Sequence, residues 1–220
     1  MKRKAETLFV GVLGTFGSGK TLLLVLLGRN NGEQYRVLLK QLGFEDEVPN
    51  KPLRVYANFH MKGAKYITPE DFLEIKREEG FENLVLLQEV YAWLDARMSM
   101  TKVNRFLKTI VLQVRKRAMN IVWDAQLLRT VELILKESTD ILVECEKARA
   151  VDGGKVFVYH VNWQPNLRTM RSAVMFLTEE NAMKFWDEYN TYEIEQPITE
   201  VITPEDLTRK LKVKGRKRKI

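Results

Sequence analysis

The chain has 220 residues, 45% of them hydrophobic and 10% aromatic, with a formal net charge of +7. That size and apolar content suit one α/β domain with trimmings. No apolar run approaches the roughly 18 residues that a membrane-spanning helix needs. The single cysteine excludes an internal disulfide, and no Cys/His cluster has the spacing of a metal site.

The charge is localised. Between residues 209 and 220 stand eight lysines and arginines and no acid, so the first 208 residues are close to neutral. The expected organisation is one domain over 1–208 and a basic tail over 209–220. Such a tail binds a polyanion or stays solvated. The basic start, Met1-Lys2-Arg3-Lys4, is not followed by a cleavable signal pattern, so a cytoplasmic setting is expected. Cys145, inside an apolar run, reads as a buried and inert thiol.

In chain order, residues 8–13 read as a buried strand and 19–28 as a helix closed by Gly28. Residues 53–57 form a second strand. Thr68 followed by Pro69 opens a helix over 69–79, an N-cap with proline at the first helical position. The unbroken apolar run 84–87 predicts a strand buried on both faces. The apolar stripe Val103, Phe106, Leu107, Ile110, Val111, Val114 predicts a helix over 102–117. Strands at 120–123 and 141–144 flank a helix at 127–137. After Gly153-Gly154 the texture changes, and 155–161 and 172–177 predict an antiparallel pair at the sheet edge. Helices over 178–189 and 203–211 precede the tail. Alternating buried strands and helices define an α/β fold: a mainly parallel sheet, helices on both faces, and an antiparallel edge extension.

Four motifs carry chemistry. Gly14-Thr15-Phe16-Gly17-Ser18-Gly19-Lys20-Thr21 satisfies G-x-x-x-x-G-K-[ST] at every fixed position, between a strand and a helix. Its glycines let backbone N–H groups wrap phosphates, Lys20 reaches the β- and γ-phosphates, and the Thr21 hydroxyl takes a Mg²⁺ position. ATP and Mg²⁺ are the expected cofactors. Leu84-Val85-Leu86-Leu87-Gln88-Glu89 is a Walker B-like strand in which Gln88 replaces the usual aspartate on the metal side. Glu89 is the candidate general base. Gln88 can still hydrogen-bond a metal-bound water, more weakly because it is neutral. Asn120-Ile121-Val122-Trp123-Asp124-Ala125-Gln126 ends in Gln126, in the chain order of a γ-phosphate sensor. Finally, residues 96–123 hold Arg97, Lys102, Arg105, Lys108, Arg115, Lys116 and Arg117 without an acid, a solvated face or a surface for nucleic-acid phosphates. Arg115 and Arg117 are candidate arginine fingers acting in trans. The four tryptophans, Trp93, Trp123, Trp163 and Trp186, are scattered and read as core, not as a base-stacking platform.

The loop, Val55-Tyr56-Ala57-Asn58-Phe59-His60, Gln88-Glu89-Val90-Tyr91-Ala92-Trp93-Leu94-Asp95-Ala96-Arg97, Arg115-Lys116-Arg117-Ala118 and Asp124-Ala125-Gln126 together resemble small P-loop ATPases of archaeal viruses and mobile elements. That family is similar to zonula-occludens-toxin-like phage assembly ATPases and lies near the FtsK–HerA motors. The resemblance spans about residues 9–146. It implies a RecA-like sheet and ATP-driven movement of double-stranded DNA such as genome packaging. It also implies a homo-oligomeric ring, a hexamer by analogy, in host cytoplasm if viral, with a capsid or portal-site protein as a further partner. Within it Lys20 and Thr21 are phosphate and metal residues, Glu89 the catalytic carboxylate and Gln126 the sensor. The sequence departs from the family at Gln88 and at Lys136, where an arginine often follows the sensor. A virion assembly or secretion ATPase acting on proteins, and a degenerate nucleotide-binding assembly factor, are the alternatives. A small-molecule kinase would need an arginine-rich lid, and the basic segment before Asn120 is not in a lid position.

Overall fold

The computed structural model describes residues 7–90, 114, 116–126, 133–150, 153–163 and 171–189. β1 (Phe9–Leu13) is buried at all five positions, as a run of apolar residues covered on both faces must be. It leads through the glycine-rich loop into α1 (Lys20–Gln41). There follow β2 (Leu53–Ala57), the short β3 (Lys65–Tyr66), α2 (Pro69–Glu74) and β4 (Glu82–Leu87). The chain continues with β5 (Met119–Ala125), α3 (Leu133–Ser138), β6 (Ile141–Arg149), β7 (Lys155–Trp163), β8 (Arg171–Thr178) and α4 (Glu179–Met183). A single 3-10 turn, Trp186–Glu188, completes it.

All eight strands belong to one sheet in the order β3-β2-β4-β5-β1-β6-β7-β8. Pairing is parallel from β3 through to β6, and antiparallel from β6 to β7 and from β7 to β8. β5 is inserted between the loop strand β1 and the acidic strand β4, so the additional strand separates them. On one face, α1 packs Leu22, Leu24 and Val25 onto Val10, Val12, Leu84, Leu86 and Val122. On the other, Phe72 and Ile75 at α2 and Leu135 of α3 cover Phe9, Val85, Ile121 and Trp123. The fold is therefore α/β and RecA-like, with helices on both faces and the antiparallel extension at one edge.

Several elements differ in extent from the expectation. α1 does not stop at Gly28. Its backbone breaks at Arg29-Asn30-Asn31-Gly32, where Asn30, Asn31 and Gly32 are left-handed, and then resumes to Gln41. α2 has the expected cap, with the Thr68 side chain and Asp71 forming a reciprocal capping box. It ends at Glu74 rather than 79, because Ile75 turns to an extended ψ of 121° and buries its side chain in the core. β6 runs nine residues, to Arg149. The helix over 178–189 resolves into α4 and the 3-10 turn. Its end returns to α1: Arg29 pairs with Glu188 at 3.1 Å and lies over the Phe185 ring. Only 133–137 of the helix expected over 127–137 is described. Most of the helix over 102–117, the helix over 203–211, the tail and Trp93 lie outside the described residues. Among the described residues no helix is long and apolar enough to cross a membrane.

Candidate functional site

The carboxyl ends of β1, β4 and β5 converge on the loop between β1 and α1. In open parallel sheets that end is where ligands bind. Gly14 lies against the middle of β6: a Cβ there would stand 2.5 Å from the Cys145 carbonyl oxygen. Thr15 offers its carbonyl to the Lys20 ammonium at 3.1 Å. Phe16 projects from the loop tip, 80% exposed, and the Lys20 ammonium sits 6.0 Å from its ring centre. Gly17 has open space around it. Ser18 and Lys20 are buried, and Thr21 is half-buried.

Gly19, the N-cap of α1, takes a left-handed φ of 91°. A Cβ would meet Phe157 at 2.7 Å and the Tyr159 hydroxyl at 3.0 Å. Both conformation and space demand glycine. Tyr159 donates its hydroxyl to the Gly19 carbonyl at 3.3 Å. The antiparallel extension thus braces the loop from below, a contact that no sequence motif announced. The first turn of α1 carries no acidic side chain, so its positive dipole end is uncompensated and suited to an anion.

Opposite the loop, Asn58 holds the end of β4 by two hydrogen bonds. Its amide donates to the Gln88 carbonyl at 2.8 Å, and the Gln88 N–H donates back to its oxygen at 2.7 Å. The next residue, Glu89, is left-handed at φ 46°. Such backbone strain costs on the order of 1–3 kcal/mol and persists only where surroundings enforce it. Here Asp124 enforces it, accepting the Glu89 N–H on its carboxylate and the Val90 N–H on its carbonyl. Gln126 donates its amide to the Glu89 carboxylate at 3.3 Å. Base and sensor candidates are therefore brought together, on a turn tied to β5.

Asp124 is fully buried. Burial pushes its carboxyl up to about 7, against the Glu89 N–H and the Lys20 charge, which pull it down. An acid inside an apolar run reads as the end of a strand, which is why the sequence drew attention to Gln126 instead. Cys145 is buried and unpaired as a thiol, pushed up to about 12 by burial. Trp123 is core, packed against Gly11 and donating its indole N–H to the Thr139 hydroxyl at 3.3 Å. Trp186 is 43% exposed.

Of the two arginine candidates, Arg117 is not brought to this site within the chain. Arg117 precedes β5, so it lies at the opposite end of that strand from Gln126. Its guanidinium donates to the Ile75 carbonyl at 3.0 Å, and burial lowers its pKa. The Arg115 side chain and the rest of the basic segment 96–113 lie outside the described residues. Lys136 sits on α3, partly exposed.

The residues fit a Mg²⁺–nucleotide. Ser18 Oγ and one carboxylate oxygen of Asp124 are buried without a hydrogen-bond partner among the described residues, a cost of about 1–3 kcal/mol each that a ligand can relieve. No group of three or more His, Cys, Asp or Glu among the described residues could hold a metal alone. Mg²⁺ in phosphoryl-transfer sites takes one or two protein oxygens and completes its shell with phosphates and water. Thr21 and the β4–β5 strand ends are the oxygens available here.

A glycine-rich loop between β1 and α1, a β4 ending in a carboxylate, and an inserted β5 ending in an amide define the P-loop NTPase fold of the additional-strand kind. No protein-family model matches the chain, and no curated protein matches it. Among solved structures it is similar to the N-terminal domain of zonular occludens toxin from Neisseria meningitidis, with 16% identity and a TM-score of 0.49 over 84% of this chain and 99% of that one. The genome packaging NTPase B204 from Sulfolobus turreted icosahedral virus 2, in complex with ATP-gammaS, aligns at 11% identity and a TM-score of 0.46, over 76% of this chain and 96% of that one. The Legionella pneumophila ATPase DotB aligns at 10% identity and a TM-score of 0.38, over 75% and 48%. Strand order and loop geometry, not these distant likenesses, define the class.

Proposed function

We propose that the chain hydrolyses ATP and, as a homo-oligomeric ring, uses the energy to move double-stranded DNA, as in viral genome packaging. The observation that carries the hydrolytic part is the Glu89–Gln126 contact at 3.3 Å across from a complete phosphate loop. The loop's N–H groups and the start of α1 cradle the phosphates, and Lys20 exchanges the Thr15 carbonyl for the β- and γ-phosphate oxygens. Glu89 takes the proton of the water that attacks the γ-phosphorus as the bond to the ADP oxygen breaks. Gln126 fixes the direction of that carboxylate and the position of the γ-phosphate. Mg²⁺, when bound at Thr21 and the β4 end, neutralises charge on the phosphate oxygens.

The DNA part is supported by charge placement: eight basic residues after residue 208, and an acid-free basic stretch at 96–123. An arginine from a neighbouring subunit, Arg115 or Arg117, completes the site. The neutral Gln88 favours one second reading, a slow or degenerate nucleotide-binding assembly factor. A protein-directed assembly or secretion ATPase is distinguished by the same experiment: ATP hydrolysis by purified protein with and without duplex DNA. Stimulation by DNA is the expected result. Hydrolysis indifferent to DNA overturns the motor in favour of action on proteins, and binding without hydrolysis favours the degenerate factor.

A further inference from the structure

The geometry points to Asp124 as the metal-side carboxylate of the nucleotide site, carried on β5 in place of the acid that Gln88 does not supply on β4. This rests on the ATP-hydrolysing reading above and deepens it.

Three observations carry the assignment. The first is register. Val12 pairs with Asp124 across β1 and β5, and Leu87 with Trp123 is the last pair of β4 and β5. The next residues along these two strands are Gln88 and Asp124. Both continue the alternation of the α1-facing residues, Leu84 and Leu86 on β4 and Val122 on β5. An acid on β5 at this position reaches the same space as an acid on β4 would.

The second is the division of labour between its two oxygens. Oδ1 accepts the Glu89 N–H. Oδ2 is buried without a partner among the described residues. Holding the Glu89 turn requires one acceptor, which an asparagine would provide equally well. It does not require a second, negatively charged oxygen in a fully buried place, where charge is costly unless compensated. The third is the electrostatic setting. Asp124 holds the N–H of the candidate base Glu89 and is close enough to Lys20 for that positive charge to act on its carboxyl. A hard dication is the natural counter-charge for a carboxylate there, either directly or through a bound water.

The test measures ATPγS affinity in EDTA and in Mg²⁺ for the wild type, Asp124→Asn and the double variant Gln88→Asp/Asp124→Asn. The expected result is that Mg²⁺ tightens binding to the wild type, that Asp124→Asn keeps its EDTA affinity but loses roughly 10- to 100-fold of the Mg²⁺ increment, and that the double variant recovers it. An Asp124→Asn protein with the full Mg²⁺ increment overturns the assignment while leaving the ATPase reading intact. A wild type that binds no nucleotide in either condition overturns both. Should Asp124→Asn not fold, wild-type protein with carboxyl-labelled aspartate, loaded with Mn²⁺ and ATPγS, is read by electron–nuclear double resonance. A carboxyl-carbon coupling supports the assignment and its absence overturns it.

Discussion

Lys20 has a partner within the loop itself, the Thr15 carbonyl at 3.1 Å. Phosphates must replace a neutral acceptor with charged ones, which are worth about 1.5–3 kcal/mol each to a lysine. Lys20→Ala is therefore expected to weaken ATP binding by roughly ten- to hundredfold, measured by calorimetry, and to abolish hydrolysis. Glu89→Gln keeps the amide contact geometry with Gln126 and removes the base. It should bind ATP normally and lose on the order of 10²–10⁴ in turnover, and normal turnover would remove Glu89 from that role. Cys145 is the only cysteine, and its burial holds the thiol protonated up to about pH 12. Alkylation needs the thiolate. Native protein at pH 8 should resist iodoacetamide while urea-unfolded protein reacts, as read by mass spectrometry. Rapid native labelling would contradict the buried placement.

At the scale of elements, the strands were legible wherever burial on both faces produced an apolar run. Residues 53–57 and 84–87 became β2 and most of β4 with little change. β6 was under-read because it leaves the sheet interior. Up to Cys145 buried residues alternate with less buried ones, Glu144 among them exposed, and beyond Cys145 no residue is buried, with Glu146, Lys147 and Arg149 exposed; charged residues broke the run without breaking the strand. The stop expected at Gly28 fell just before the Arg29–Gly32 break in α1, and resumption beyond it depends on Tyr35, Leu38 and Leu39 finding the core. Of the site, the phosphate loop, Glu89 and Gln126 were legible from motif spacing. Asp124, Asn58 and Tyr159 were not, because their roles arise from pairing residues far apart in sequence. Gly19 offers a test of that bracing. Gly19→Ala combines a left-handed strain of order 1–3 kcal/mol with the Phe157 clash, and should lower the melting temperature by roughly 2–10 °C. An unchanged melting temperature would mean that the extension does not press on the loop.

For the whole molecule, charge and assembly make the sharpest predictions. Removing residues 209–220 should weaken duplex DNA binding and flatten its dependence on salt, since each phosphate contact contributes to that slope. An unchanged slope would reduce the tail to a solubility device. Because Arg117 is engaged with the Ile75 carbonyl, Arg115→Ala should depress hydrolysis in the assembled state more than Arg117→Ala does, and mixing with an Arg115-intact, Lys20→Ala subunit should restore part of it. The reverse order would move the trans role to Arg117. The sheet also has a mechanical asymmetry. Only Ile141–Glu144 of β6 pair with β1, so the far half of β6, with β7 and β8 beyond it, forms a three-stranded flap overhanging the loop, leaning on it through Cys145, Phe157 and Tyr159. A cantilever fixed at one end and resting on a hinged support stiffens when the support is filled. Amide protons along 145–149 and 155–159, remote in sequence from the phosphate loop, should exchange more slowly once nucleotide binds, which makes the sheet edge a gauge of what the loop holds.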